Sequence, residues 1–311
     1  MNYMRKVLIT GAGGFIGKAV LKELVCEKDV EIYATTTNKA KMEKFLNENG
    51  IYHKVNVCEI DLLNQKDTAK LVDKIRPEYL IHLAWSLEGN NKFQDSLMNI
   101  DWMCASINLI KEVGLCGGKR ILFAGSSSQY EFSPESLAEN ENMRPLNLYG
   151  KCKKEVEEVA MYLCEQMEVS FASARYFSVY GPYDERAARA IPSAIEKLLA
   201  GERIVCKEPY NKWDYIYIDD AAKATIKLLN SKMCGAVNIA SGEGIRMKDV
   251  FEIIARNLGK EDLLELDEHN KSRKCLVADS EKMKEILDYR CETGFEEGMR
   301  YTIKWWQDKM K

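Results

Sequence analysis

Val7-Leu-Ile-Thr-Gly-Ala-Gly-Gly-Phe-Ile-Gly17 is the stretch whose reading decides the fold. Val7 to Ile9 form a short apolar run suited to a buried strand. The run breaks into glycines at Gly11, Gly14 and Gly17, and an amphipathic segment with Ala19, Val20, Leu24 and Val25 follows. Strand, glycine turn and helix in that order make a phosphate cradle. Glycine lets the backbone turn sharply and come close to a pyrophosphate, while the helix N-terminus offers free N–H groups and a positive dipole end. The spacing is Gly-x-x-Gly-x-x-Gly, not the Gly-x-Gly-x-x-Gly of ordinary dehydrogenases. In this setting a nucleotide outweighs an empty glycine turn, with the backbone of Gly11, Gly14, Phe15, Ile16 and Gly17 as the expected cradle.

The rest of the chain fits an enzyme built around that turn. Its 311 residues suffice for one or two domains with a full core. A net charge of -3 argues against a nucleic-acid or membrane-surface role, and no apolar run approaches a membrane span. Met1 to Lys6 lead directly into the first strand, so no signal peptide is expected and the cytoplasm is the expected compartment. The 10 cysteines are scattered without a C-x-x-C pair, which reads as reduced thiols rather than a disulfide framework. With only His53, His82 and His269, no metal site is expected.

Outward from the glycine turn, Val30 to Ala34 reads as a second strand. In a NAD-binding unit this strand ends in Asp or Glu, whose carboxylate holds the ribose 2′-hydroxyl. Here Thr35-Thr36-Thr37-Asn38-Lys39 follows, with Lys41 close behind. Hydroxyls, an amide and a lysine accept a 2′-phosphate that a carboxylate would repel, so NADP(H) is favoured over NAD(H), with Thr35 and Asn38 as contacts. Val55 to Ile60 reads as a third strand, Asn64 to Ile75 as a helix stopped by Pro77, and Tyr79 to Ala84 as a fourth strand. His82, in mid-strand, reads as a packed core histidine. A long helical pattern runs through Asn99 to Gly114. Arg120 to Ala124 is a fifth strand, ending in Gly125-Ser-Ser-Ser-Gln-Tyr130, which falls where open α/β sheets bind ligands. After Pro145, Tyr149 and Lys153 stand four apart and share one helix face. An ammonium near a phenol favours the phenolate. With 15 tyrosines in the chain, the pair draws its weight from its position one loop after the serines.

At this point the chain resembles the extended short-chain dehydrogenase/reductase family, the NAD-dependent epimerases, dehydratases and reductases of sugar nucleotides. The resemblance rests on Gly11-x-x-Gly14-x-x-Gly17, Asp61-Leu62, His82-Leu-Ala84, Asn99, Ser126 to Tyr130, Tyr149-x-x-x-Lys153, Arg175 to Pro182 and Trp213 to Asp220, in family order over nearly the whole chain. It implies a Rossmann-type doubly wound parallel α/β sheet with a smaller C-terminal α/β substrate domain. The expected division is 1–178 with 214–241 for the cofactor and 179–213 with 242–311 for the substrate. It also implies that Asp61 and Leu62 flank the adenine and that Leu83, Ala84, Asn99 and Tyr176 line the cofactor. Tyr149 would be the acid/base, with Lys153 lowering its pKa and holding the nicotinamide ribose. Standing four before Tyr130, Ser126 would donate to the reacting oxygen, with Ser127 as fallback. A homodimer through the helices around 99–114 and 149–165 is the family's habit.

Three departures narrow the reaction. Ser127-Ser128 stand where sugar dehydratases carry an acid, so elimination is the least expected chemistry. Trp213 replaces an arginine that meets a diphosphate, leaving Lys212, Arg246 or Arg273 to substitute. Arg186 and Arg189 offer charge to a phosphorylated substrate, although solvated helix charge is an equal reading. Trp85, Ser127, Ser178, Arg186 and Arg246 are the candidate substrate contacts. The favoured expectation is a nucleoside-diphosphate-sugar 4-ketoreductase using NADP(H). An NAD-retaining 4-epimerase and a non-catalytic dinucleotide-binding sensor are the alternatives.

Overall fold

Strand β1 (Arg5–Thr10) runs through the interior of a seven-stranded sheet, and Val7, Leu8 and Ile9 are fully buried there. Continuous apolar burial marks a strand covered on both faces, as parallel sheets require. The computed structural model describes residues 4–87, 90–141 and 143–311. After β1 come α1 (Phe15–Leu24), β2 (Val30–Thr36), α2 (Lys39–Glu48), β3 (Val55–Glu59), α3 (Gln65–Ile75), β4 (Tyr79–His82), α4 (Met98–Leu115), β5 (Arg120–Ser126), α5 (Leu148–Gln166) and β6 (Ser170–Tyr176). The chain continues with β7 (Ser178–Tyr180), α6 (Ala190–Leu199), β8 (Ile204–Cys206), β9 (Lys212–Tyr217), α7 (Ile218–Asn230) and β10 (Gly235–Ile239). It ends with β11 (Gly244–Arg246), α8 (Met247–Leu258), β12 (Leu264–Leu266), β13 (Cys275–Leu276), α9 (Glu281–Ile286) and α10 (Phe295–Lys309).

The main sheet has the order β10-β6-β5-β4-β1-β2-β3. The β1–β2, β1–β4, β2–β3 and β4–β5 pairs are all parallel. The chain therefore winds outward to β3, returns past β1 and continues through β4, β5 and β6. That reversal puts a crevice at the C-terminal ends of β1 and β4. It is the Rossmann-type architecture that the family resemblance implies. Leu8, Leu80, Ile121 and Phe123 pack with Leu109, Ile110, Val156 and Ala160 of α4 and α5 into a buried cluster. Three asparagines start helices: Asn38, Asn64 and Asn147 accept the N–H of Lys41, Asp67 and Gly150. Each side chain satisfies a donor that the first helical turn leaves without a partner. At its other end α3 closes on Arg76, whose φ of 50° is left-handed, directly before Pro77.

The chain forms two compact units: 1–129, 143–175 and 222–237 make the first, and 130–142, 176–221 and 238–311 the second. These bounds differ from those expected above for 130–142, 176–178, 214–221 and 238–241. The reason is strand pairing: β9 is shared by β7, β11 and β13 in a separate four-stranded sheet, so 214–221 goes with that sheet. Two carboxylates of the Trp213–Asp220 motif brace this second unit. Asp214 accepts from Ser241 N (2.8 Å), Ser241 Oγ (2.7 Å) and Gly242 N (2.9 Å). Asp220 accepts from Tyr289 Oη (2.5 Å), Glu292 N (2.8 Å) and Thr293 N (3.1 Å). Among the described residues no helix is long and apolar enough to cross a membrane, and no cluster suited to a metal ion is present.

Candidate active site

The glycine turn is built so tightly that side chains are excluded from it. Gly11 has a φ of +67°, and a Cβ there would lie 2.7 Å from Ala84 N. At Gly17 a Cβ would lie 2.0 Å from Gly11 O, so the first turn of α1 rests directly on the loop. Gly14 is the N-cap of α1, donates its N–H to Gly11 O at 3.0 Å and carries no side chain to occupy the helix end. The first turn of α1 has no acidic residue. A helix start without a carboxylate, facing a turn that a Cβ would fill, suits an anion such as a pyrophosphate. The residues present therefore fit a dinucleotide.

At the end of β2 the structure redistributes the expected contacts. Thr35 is buried in the sheet, and the Asn38 amide oxygen is committed to capping α2. The hydroxyl turned toward the glycine turn is that of Thr36, 3.4 Å from where a Gly13 Cβ would stand. Sequence reading passes over Thr36 because alternation alone does not say which of three threonines ends the strand. Strand β2 carries no carboxylate at this end, while Glu59 on β3 accepts the Lys39 N–H at 3.1 Å. Leu62 is buried, and Asp61 accepts the Leu63 N–H at 3.0 Å.

Tyr149 and Lys153 occupy the first two turns of α5, on the same face. Lys153 is 2% exposed, and its ammonium donates to Ala124 O at 2.8 Å. Its Nζ lies 4.1 Å from the Trp85 ring centroid, 4.7 Å from that of Phe123 and 5.8 Å from that of Tyr149. Burial drives the Lys153 pKa down to about 7. The Tyr149 ring meets Trp85 edge-on at 6.0 Å and Phe93 at 5.4 Å. Asn99 is spent within the protein: Oδ1 accepts from Trp85 Nε1 at 2.9 Å, and Nδ2 donates to Phe93 O at 2.7 Å and Ser96 O at 2.9 Å. His82 is a buried structural histidine, with Nδ1 2.7 Å from Thr10 Oγ1 and Nε2 2.8 Å from Ser106 Oγ. Thr10 Oγ1 also accepts the Ala84 N–H at 3.3 Å, which ties the ends of β1 and β4 together.

Ser126 is the last residue of β5, and Ser127–Gln129 form a single 3-10 turn after it. The Ser126 hydroxyl accepts from Ser128 N at 3.1 Å, which leaves its own proton for an oxygen placed above it. Neither Ser127 nor Ser128 brings a carboxylate, so the acid that a sugar elimination needs is absent from this turn. A Cβ at Gly150 would lie 2.0 Å from Ser128 O, so the serine turn and the start of α5 are in direct backbone contact.

The remaining candidates lie in the second unit. Tyr176 is buried at the end of β6, and Ser178 opens β7. Asp184 holds both expected cations, with Arg186 Nε at 3.3 Å and Arg189 Nη1 at 2.6 Å. Arg246 forms a two-point pair with Asp249 at 2.8 and 3.0 Å. Arg273 stacks over Tyr210 at 4.0 Å. Trp213, half-buried on β9, meets Phe132 edge-on at 5.6 Å.

Known proteins resemble this chain along its length. The chain is 28% identical to a UDP-glucuronate 4-epimerase of Thermodesulfobacterium geofontis, over 98% of this chain and 97% of that one. It is 24% identical to a dTDP-4-dehydro-6-deoxy-D-allose reductase of Streptomyces bikiniensis, over 96% of this chain and 96% of that one. Among solved structures, a UDP-N-acetylglucosamine 4-epimerase from Methanobrevibacter ruminantium, in complex with UDP-N-acetylmuramic acid, superposes with a TM-score of 0.86 at 28% identity, covering 99% of this chain and 100% of that one. Residues 7–240 match the profile of the NAD dependent epimerase/dehydratase family, and the chain belongs to that family.

Proposed function

We propose that the protein moves hydride between a nicotinamide and C4 of a nucleoside-diphosphate sugar, working as a 4-ketoreductase. The observation that carries the chemistry is the grouping of Tyr149, Lys153 and Ser126 in one unit, with the serine turn in backbone contact with the helix that bears the tyrosine. When bound, the nicotinamide supplies the hydride. Tyr149 gives its phenolic proton to the carbonyl oxygen, and the Ser126 hydroxyl donates a hydrogen bond to that oxygen as charge builds on it. Lys153, its pKa already near 7, offers a charge that answers to the proton on Tyr149.

Cofactor choice supports the reducing direction. Thr36, not a carboxylate, faces the glycine turn from β2, and Lys39 and Lys41 follow within α2. That surface accepts a 2′-phosphate, so NADP(H) is the preferred dinucleotide. A second reading is an NAD-retaining 4-epimerase, favoured by the activity named for the two relatives at 28% identity. Fluorescence titration of ligand-free protein with NADPH and NADH separates the two. A clear preference for NADPH, with consumption of NADPH by a 4-keto nucleotide sugar, supports the reductase. Tight retention of NAD with interconversion of UDP-sugars supports the epimerase. Binding without either turnover supports the sensor.

The same reading includes a homodimer. Helices α4 and α5 pack together in the first unit and leave Ile100, Val159, Met161 and Tyr162 exposed, the last at 69%. Paired α4 and α5 faces from two copies would bury this apolar surface. Sedimentation equilibrium at micromolar concentration tests it.

A further inference from the structure

Behind the serine turn lies a buried polar network that the proposed chemistry does not itself use. Glu157, two turns after Tyr149 on α5, is 1% exposed. Its Oε2 accepts from Ser173 Oγ at 2.5 Å, Gln129 Nε2 at 3.0 Å and Arg175 Nε at 3.2 Å, while Oε1 takes Arg175 Nη2. Gln129, fully buried, turns its other end to the backbone of the serine turn, where Oε1 accepts the Ser126 N–H at 2.7 Å. The orientation of this amide is forced. A carboxylate only accepts, so it selects the Gln129 NH2, and the carbonyl end is left for Ser126 N–H.

We propose that Gln129, oriented by Glu157, is a positioning residue that sets the Ser126 hydroxyl relative to Tyr149. The chain of contacts runs from the helix that bears Tyr149, through Glu157 and Gln129, to the backbone of Ser126. Space allows little slack, since a Cβ at Gly125 would lie 2.8 Å from Gln129 Oε1 and 2.7 Å from Ser173 Oγ. Arg175 supplies the counter-charge that lets a carboxylate stand in this core. A network of this kind fixes one geometry because any partner left unmatched in the interior is costly. The inference rests on the proposed role of Ser126 as donor to the reacting oxygen.

Gln129→Met tests it, since methionine keeps the bulk and removes both hydrogen-bonding ends. Hydrogen exchange of the Ser126 amide should quicken about tenfold or more in the variant, while the amides of Ile121 to Phe123 keep their protection. Unchanged exchange at Ser126, or faster exchange across all of β5, overturns the proposal. In turnover of a 4-keto nucleotide sugar, Ser126→Ala should lower kcat by roughly 100-fold, and Gln129→Met by about tenfold with KM and dinucleotide affinity unchanged. Combined with Ser126→Ala, Gln129→Met should cost nothing further, because it acts through that serine. Multiplying losses in the double variant overturn the positioning role. A Ser126→Ala variant with full activity refutes the reading of Ser126 itself, and the exchange experiment still decides whether Gln129 holds the turn.

Discussion

His82 should make the protein acid-sensitive in a way that one substitution removes. Burial first, and then the charge of Lys153, push its pKa from 6.5 to about 3. The folded state therefore holds this imidazole neutral where the unfolded chain binds a proton. Between pH 6.5 and 3 the unfolded state carries more protons, so stability rises with pH in that window. The contribution is complete above 6.5 and is lost progressively as the pH falls toward 3. Linkage with those two values gives a loss of about 1.4 kcal/mol at pH 5.5 and about 2.7 kcal/mol at pH 4.5, relative to pH 7.5. His82→Gln has no such proton to take up. At pH 7.5 the variant should be less stable by ~1–3 kcal/mol, having disturbed the hydrogen bonds to Thr10 and Ser106. The gap should then narrow by about 1.4 kcal/mol at pH 5.5. Urea unfolding followed by tryptophan fluorescence at the three pH values measures it, and the carboxylates common to both proteins cancel in the difference. Wild type and variant losing stability in parallel from pH 7.5 to 4.5 would refute the argument, because His82 would then titrate alike in the folded and unfolded chain.

Lys153 gives the opposite kind of trade. Its pKa of about 7, against 10.5 in the open, means that burying the charge opposes folding fully below pH 7 and that this cost fades as the pH rises to 10.5. Lys153→Met should melt higher than wild type at pH 6, by up to about 5 kcal/mol in stability, with the advantage shrinking toward pH 10 and turnover abolished. Tyr149→Phe should cut kcat by roughly 100- to 10,000-fold while dinucleotide titrations stay close to wild type. Gly17→Ala forces a Cβ to within 2.0 Å of Gly11 O, so it should weaken dinucleotide binding by at least about tenfold, read by the same titration. Thr36→Asp places a carboxylate opposite the glycine turn and should shift the NADPH-to-NADH affinity ratio toward NADH by about tenfold or more.

Local chemistry was enough to read much of this protein from its sequence. Strand, glycine turn and helix from Val7 onward specified a nucleotide cradle, because glycine tolerance and apolar burial are properties of neighbouring residues. The order of motifs along the chain carried the resemblance that implied a Rossmann-type sheet. Stops were equally local: Asn64 to Ile75 reads as a helix stopped by Pro77, and α3 ends at Ile75 directly before the Arg76-Pro77 pair. Tyr149 and Lys153 share a face because they are one helical turn apart. What the tertiary structure decided depends on partners distant in the chain. Only strand pairing could assign 214–221 to the second unit, since β9 reads alike whichever sheet it joins. Which threonine of three meets the glycine turn depends on where β2 ends against β1 and β3. The cations at 186, 189 and 246 look available in sequence, yet Asp184 and Asp249 already hold them. Gln129 and Glu157 carry no signal at all until the fold brings β5, α5 and β6 together, because a hydrogen bond across 28 residues leaves no periodicity to read.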